Sequence, residues 1–261
     1  MKYVKLFYAQ CKLSVMAATM YRANFWLMLI QSILNSFMTL LSVEFIYGSV
    51  ESIAGWSKED MIVLICTSLI VNQMYRGIIH FNQNRFVNGV GSGGFDKLLL
   101  RPINLLFQVN TGPIHISGLL SIIAPVIVLL SQLSKMSSHI SATQISLYLL
   151  FLINGVVVLA SFMLLLYTLA FVFIKVDGIN NIYYLMMDMA SKPQEMFAKE
   201  FLYGFLWVVP AIPLANAPAT VLLGKRSVLP LALYILIGVT FVLLSTVSLH
   251  TGRKRYTSAS S

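Results

Sequence analysis

Apolar residues in this chain fall in long, nearly uncharged stretches that short polar segments separate. At a rise of 1.5 Å per residue, a helix of about 20 residues crosses the hydrocarbon core of a bilayer. Because the stretches are continuously apolar and do not alternate, they predict helical spans and argue against a β-barrel. The pattern predicts an all-α integral membrane protein with six transmembrane helices, at about 23–47, 61–81, 113–133, 146–174, 201–223 and 228–249.

The amino-terminal segment, 1–22, is amphipathic. On a helical wheel Val4, Phe7 and Tyr8 share one face, and lysines lie opposite. This pattern is typical of a helix in the membrane interface, although the segment is also consistent with a simple flank of the first span. No small-residue cleavage pattern follows the first long apolar run, so we expect a retained span and no signal peptide.

Three prolines, Pro210, Pro213 and Pro218, interrupt the fifth apolar stretch. Proline removes a backbone donor and breaks a helix, and non-helical backbone at membrane depth needs cover from protein or a cavity. We therefore expect a broken or re-entrant segment over 210–224, near the outer face and before the last span. A single kinked helix is the alternative.

The segment 179–190 is apolar but too short to cross a bilayer, and it carries Asp188. It extends span four, forms an interfacial helix on the cytoplasmic side, or joins span five. The residue pattern leaves these three interpretations open.

The distribution of Lys and Arg predicts the orientation of the chain, because cytoplasmic flanks carry an excess of basic residues. Most basic residues face the cytoplasm if both termini lie there. They occur in the amino segment, after span two, after span four and in the tail, and include Arg76, Arg85, Lys97, Arg101, Lys175, Lys192, Lys199, Arg253, Lys254 and Arg255. Lys58, Lys135, Lys225 and Arg226 remain outside.

Composition supports a membrane protein, since 58% of residues are hydrophobic and 10% charged, against about 25% charged in soluble domains. The net charge of +9 comes from residues at the ends of apolar stretches. They form no basic stripe, so we expect no nucleic-acid partner. The chain reads as one transmembrane domain, 1–261.

The sequence offers no catalytic or metal-binding pattern. Gly89, Gly91 and Gly94 match G-x-G-x-x-G, but the match lies between two predicted spans and not in a βαβ unit. No P-loop and no metal-ligand spacing of histidines or cysteines is present. We expect a non-catalytic chain that binds no cofactor of its own.

Amide side chains inside the predicted spans are candidates for a translocation path. Asn24, Gln31 and Asn35 share a face of span one, and Asn72 and Gln73 lie in span two. Amides in membrane helices also join helices, at about 0.6 kcal/mol per hydrogen bond. We favour helix packing over substrate contact for these residues.

The most distinctive segment, 91–103, is a glycine run followed by a short amphipathic helix that begins at Asp96 and stops at Pro102. It resembles the G-x-(F/L)-D-x-L-L-L-R-P signature of type-2 ABC exporter permeases, six-span subunits that pair with a separate ATPase. The stretches 209–213, 217–219 and 222–224 resemble the proline-rich segment that this family has ahead of its last span. The resemblance implies that the ATPase-coupling residues are Gly94, Phe95, Asp96, Leu98, Leu99, Arg101 and Pro102.

The resemblance implies a bacterial plasma-membrane exporter of a drug, lipid or peptide. The loop 88–106 would hold a cytoplasmic coupling helix seated in the ATPase, with segment 1–22 beside it. Two ATPase copies would bind ATP and Mg²⁺, a second permease would complete the path among membrane lipids, and the prolines would form part of an outer gate.

Two other hypotheses remain at this point. An ATP-independent secondary transporter or channel predicts a titratable group at mid-membrane, for which Asp188 is the candidate, near the cytoplasmic face. A non-transporting scaffold or immunity protein is the other.

Overall fold

The computed structural model describes residues 2–136, 140–173, 176, 178–225 and 230–256. Lys175 and Arg226, which entered the charge argument, lie outside these ranges. Regular structure in the ranges is helical, and the α-helices are α1 Lys2–Met20, α2 Arg22–Tyr47, α3 Lys58–Tyr75, α4 Phe81–Gly91, α5 Asp96–Leu99, α6 Leu105–Asn110, α7 Ile116–Leu120, α8 Ile123–Lys135, α9 Ala142–Tyr167, α10 Ile179–Ala190, α11 Lys199–Val208, α12 Pro213–Leu222 and α13 Leu231–Arg255.

Five helical stretches in the described part of the chain are long and apolar enough to cross a membrane. They correspond to predicted spans one to four and to the last span. Their bounds are Arg22–Tyr47, Lys58–Gly91, Ile116–Lys135, Ala142–Phe171 and Leu231–Arg255. The predicted span at 201–223 is instead divided into α11 and α12.

The stretch Lys58–Gly91 is the central rod of the molecule. A π turn at Arg76–His80 joins α3 to α4, so the helix continues without a break. It starts ahead of the predicted residue 61 because Ser57 caps it: Ser57 Oγ accepts from Asp60 N at 3.3 Å, and Asp60 Oδ2 accepts from Ser57 N at 3.1 Å. In the most apolar part of this stretch 72% of the residues are buried, so protein and not lipid covers most of α3.

Helix α9 packs against both α12 and α13. The contact with α12 depends on Gly155, since a Cβ there would lie 2.5 Å from the backbone oxygen of Leu214. Glycine therefore allows the two backbones to approach closely, as small residues do at helix interfaces in membranes.

Helix α10 runs beside α3 towards the end at which α3 begins. At the start of α10, Asn180 Oδ1 accepts from the Tyr167 hydroxyl at 3.2 Å, at the end of α9. Just after α10 ends, Glu195 meets Trp56, which precedes α3. The segment 179–190 therefore neither extends α9 nor lies in an interface on the side of the termini.

The placement of Lys192 and Lys199 on the side of the termini was wrong. Lys192 follows α10 and Lys199 begins α11, on either side of Glu195 at the Trp56 end of the molecule. The charge argument failed here because a twelve-residue helix covered by protein is too short to register as a span.

Helices α11 and α12 are two separate helices and not one kinked helix, because the backbone at Val209 leaves the helical region (φ −139°, ψ 96°). Pro213 occupies the first turn of α12, Pro218 lies inside it, and residues 210–220 are all buried. The carboxyl end of α12 returns to the start of α9, where a Cβ on Gly224 would lie 3.3 Å from Gln144 Nε2.

Both ends of the described chain lie near α5 and α6. The Tyr3 ring is 4.8 Å from the Phe107 ring, and the Tyr256 ring is 4.9 Å from that of Phe95. Helix α1 is separate from α2 because the backbone at Tyr21 leaves the helical region (φ −99°, ψ 56°).

Candidate functional site

The loop after α4 is held to the helical body by Phe95, which is fully buried. Its ring packs edge-on against three other rings, with centroids at 5.6 Å for Phe86, 5.3 Å for Phe171 and 4.9 Å for Tyr256. These rings come from α4, the end of the α9 span and the residue after α13. Phe95 therefore anchors the loop and does not face a partner.

A tight turn presents the short helix α5. Gly93 adopts φ +76°, and Phe95 N donates to Gly89 O at 2.9 Å across the turn. A Cβ on Gly94 would lie 3.4 Å from the Cα of Gly89, so the backbone segments on either side of the turn are in contact. The glycine run thus closes the end of α4 and redirects the chain.

The far side of this loop is exposed and apolar. Leu99 is 44% exposed and Leu100 84% exposed, and Arg101 and Pro102 are also exposed. Asp96 and Leu98 are half-buried. The seven predicted coupling residues therefore divide into an internal anchor with its turn and an exposed edge at the end of α5.

A polar groove of about 500 Å³ lies along α2, α3 and α10. It contains four of the five predicted path residues, Gln31, Asn35, Asn72 and Gln73. Asn24 lines a neighbouring cavity of about 490 Å³ instead. The two spaces share lining residues, among them Met28, Phe81, His115 and Ser117.

Two of these amides join helices. Gln73 Nε2 donates to Ser32 Oγ on α2 at 2.7 Å, and Asn72 Oδ1 accepts from the Tyr183 hydroxyl on α10. The helix-packing interpretation is therefore supported for Asn72 and Gln73. Gln31 and Asn35 are exposed on α2.

Residues of α10 complete the groove, and the sequence pattern did not reveal them. Tyr183, Tyr184 and Asp188 line it, and Asp188 Oδ2 accepts from Lys192 Nζ at 2.6 Å. Asp188 lies in the half of α10 nearer Trp56 and not at the end of the molecule where the termini lie, so the expectation that it lies on the side of the termini was wrong. The one sequence signal for these groove residues was the spacing of Tyr183 and Met187, which are four residues apart and therefore lie on one face of α10.

A group of interactions closes the opposite end of the molecule, and we call Trp56, Asp60, Glu195 and Lys225 the outer cap. Trp56 Nε1 donates to Glu195 Oε2 at 2.7 Å. Lys225 Nζ lies 2.8 Å from Asp60 Oδ2 and 4.8 Å from the centre of the Trp56 ring. The cap thus connects three loops that are distant in sequence.

Beneath the outer cap, a buried polar network holds α12 in place. Asn216 Oδ1 accepts from Gln194 N at 2.9 Å, and Asn216 Nδ2 donates to Lys192 O at 2.9 Å. Gln194 Oε1 accepts from the Tyr234 hydroxyl on α13 at 2.7 Å. These bonds give buried polar groups of the turn between α10 and α11 partners within the protein.

The three predicted gate prolines belong to this same region. Pro210 is buried in the connection between α11 and α12, and Pro213 and Pro218 are buried in α12. All three lie in protein and none lines the groove along α2, α3 and α10.

Comparison with known proteins adds a family assignment. The family model described as ABC-2 family transporter protein matches residues 33–260. No curated protein and no solved structure matches the chain. The match covers the loop after α4, the outer cap and the groove lining except Met28, Gln31 and Ser32, and the chain therefore belongs to the ABC-2 family of transporter membrane proteins.

Proposed function

We propose that the chain is the permease subunit of an ATP-binding cassette exporter and forms the translocation path for a hydrophobic or amphipathic substrate. The observation that carries the proposal is the exposed apolar edge at Leu99 and Leu100, on a loop anchored by Phe95, in a chain of the ABC-2 family. Exposed apolar residues on an ordered loop outside the membrane are typical of an interaction surface.

The partner in this proposal is a separate ATPase that binds ATP and Mg²⁺, in two copies per complex. The loop 88–106 is its coupling surface, with Leu99, Leu100 and Arg101 in contact and α1 alongside. The chain itself is non-catalytic. A second permease, identical or homologous, completes the path within the membrane lipid.

The orientation in this proposal places both termini in the cytoplasm of a bacterial cell, with the protein in the plasma membrane. The ends of the chain lie at the loop after α4, and basic residues such as Arg85, Lys97, Arg101 and Arg253 cluster at that end. The positive-inside rule favours the cytoplasm for this side even after Lys192 and Lys199 move to the other.

In this orientation α10 and the residues that follow it up to Glu195 together return the chain to the outer side as the fifth crossing, and α11 with α12 forms a re-entrant segment. Leu214, near the start of α12, packs at Gly155 in the middle of α9, and α12 then returns to the outer side. The outer cap and the prolines of α12 form the gate on that side.

The second candidate, an ATP-independent transporter, needs a free titratable group in the path. Asp188 lines the groove, but Lys192 pairs with it at 2.6 Å. Because the pair is neutral as a whole, it provides no site for a coupling cation, and the exporter proposal is favoured.

Co-purification tests the coupling surface. We expect the double variant Leu99→Ser, Leu100→Glu to insert normally and to lose capture of the ATPase encoded beside this chain. A control variant, Met196→Ser, changes a half-exposed apolar residue next to the outer cap and should keep full capture. Full capture by the double variant would contradict the proposed interface.

Transport in inverted membrane vesicles tests the mechanism itself. ATP-dependent accumulation that the double variant lacks and Met196→Ser retains is the expected result. Transport that proceeds equally without ATP would support the secondary-transporter alternative instead.

A further inference from the structure

The groove along α2, α3 and α10 contains a cation that no carboxylate balances. Arg76 lines the groove from the π turn, and the residues that the structure describes place no Asp or Glu within ion-pair distance of it. Asp188, the one acidic residue in the described lining of the groove, is paired with Lys192. The groove therefore has a net positive end at Arg76.

The neighbours of Arg76 are neutral hydrogen-bonding groups. The Tyr183 hydroxyl and the imidazoles of His80 and His115 lie close to its guanidinium. His115 stacks on Phe81 at 3.8 Å, and His80 stacks on Tyr183 at 5.4 Å, so both rings are fixed by packing. Such a setting holds an anion by charge and by several polar contacts together.

The depth of Arg76 matches the headgroup level of one leaflet. The capped start of α3 carries the charged residues Lys58, Glu59 and Asp60, and therefore marks one membrane surface. From Ser57 to Arg76 the helix rises about 28 Å, against a hydrocarbon core of about 30 Å. Arg76 thus lies at the opposite surface, on the side of the loop after α4.

The rest of the groove carries a strip of apolar residues among polar groups that are paired with other side chains. Ile65, Leu69 and Met187 line it between Arg76 and the outer cap. The polar pairs beside them are Gln73 with Ser32, Asn72 with Tyr183, and Asp188 with Lys192. From Arg76 to Ile65 the strip extends about 16 Å along α3. A cation at one end, and an apolar strip of this length among paired polar groups, match an amphiphile with a negatively charged headgroup.

We propose that this groove binds an anionic amphiphile, a lipid-like molecule with a phosphate or carboxylate headgroup, whose headgroup contacts Arg76. The proposal rests on the proposed function and specifies its substrate class. The tail lies along α3 towards the outer cap, and the headgroup enters from the leaflet on the side of the termini.

Competition binding on the purified full chain in maltoside micelles tests the site without ATP or ATPase. The probe is a fluorescent short-chain phosphatidate, and the competitors are dioctanoyl phosphatidate, dioctanoyl phosphatidylcholine, an alkyl trimethylammonium salt and inorganic phosphate. We expect dioctanoyl phosphatidate to displace the probe at a concentration at least about tenfold lower than phosphatidylcholine, as expected for one charge-assisted contact.

Four variants locate the effect. Arg76→Gln should remove the preference, and Arg76→Lys should retain most of it and shows that the fold survives a change at the π turn. Gln31→Glu adds a carboxylate to the groove and should weaken phosphatidate binding with Arg76 intact. Lys12→Gln removes an exposed cation from α1, outside the groove, and should change nothing.

Three results would overturn the proposal: an undiminished preference in Arg76→Gln, stronger displacement by the alkyl trimethylammonium salt, or no preference in the wild type. Displacement by inorganic phosphate as strong as by phosphatidate would show a site for free anions and would overturn the proposal that the ligand is an amphiphile. If the wild type captures the ATPase but shows no preference for phosphatidate over phosphatidylcholine, only this site is rejected. If the wild type shows the preference but captures no ATPase, the proposed function is rejected.

Discussion

Trp56 donates its indole N–H to the Glu195 carboxylate at 2.7 Å, and this bond joins the loop before α3 to the turn after α10. Trp56 is 1% exposed, and Lys225 lies over its ring. One side chain therefore connects the three loops of the outer cap, and its loss would separate them.

Replacement of Trp56 by Phe keeps a ring beneath Lys225 but removes the donor and leaves a small void. We expect a loss of about 2–4 kcal/mol, seen as a lower thermal unfolding midpoint in detergent. Trp207→Phe makes the same chemical change at a 44% exposed position and should shift stability by less than about 0.5 kcal/mol. Equal midpoints for the two variants would show that the cap does not contribute to stability.

Asn216 is the centre of the buried network under the outer cap, with no exposed surface. Asn216→Ala leaves Gln194 N and Lys192 O without their partner, and we expect it to cost about 2–4 kcal/mol. Asn216→Asp keeps the acceptor for Gln194 N but loses the donor to Lys192 O, so it should not restore stability. Thermal unfolding of both, with Asn24→Ala as the exposed control, measures the effect. Full stability of the Asp variant would contradict the role of the donor.

Gly155 and Gly204 both lie inside helices, but only Gly155 is in close contact with another helix, so the two positions provide a test and its control. Gly155→Ala places a Cβ 2.5 Å from Leu214 O and should cost about 1–3 kcal/mol, because α9 and α12 must move apart. Gly204→Ala in α11 meets no atom within 4 Å and should be neutral or stabilise by up to about 1 kcal/mol through helix propensity. Thermal midpoints in detergent distinguish them, and a tolerated Gly155→Ala would show that the α9–α12 contact is loose.

Phe95 and Leu100 lie five residues apart in one loop but face opposite ways. Phe95→Ala removes a fully buried ring and should cost about 3–5 kcal/mol, whereas Leu100→Ala should change stability by less than about 0.5 kcal/mol. Size-exclusion profiles and unfolding midpoints report the difference. A stable Phe95→Ala variant would mean that the ring cluster does not hold the loop.

The spans that face lipid could be predicted from sequence, because lipid contact requires a long apolar window. Helix α2 lies within one residue of its predicted bounds for this reason, whereas α13 continues six residues past the predicted end at 249 because its last turn carries Arg253, Lys254 and Arg255 beyond the apolar window. The start of α3 at Lys58 was missed because the capping box at Ser57, and not hydropathy, sets the end of the helix.

Helix α10 and the outer cap could not be predicted in the same way. A twelve-residue helix covered by protein has no distinct hydropathy signal, and the Trp56–Glu195 bond joins residues 139 positions apart. For the same reason the groove was only partly predicted, since Tyr183 and Tyr184 come from the segment whose course the pattern left open. Leu100 was part of the recognised motif, but its exposure depends on how Phe95 turns the loop.

The central rod from Lys58 to Gly91 links the two surfaces of the molecule mechanically. It is about 51 Å long, with the loop of Phe95 at one end and Trp56 at the other. If the loop is the coupling surface proposed above, a force applied there acts on this helix, and the π turn at Arg76–His80 is the place where such a helix bends most readily. Bending at the π turn would change the shape of the groove around Arg76 before it disturbs the outer cap. The position of the turn along the helix therefore sets the order in which the groove and the outer cap change.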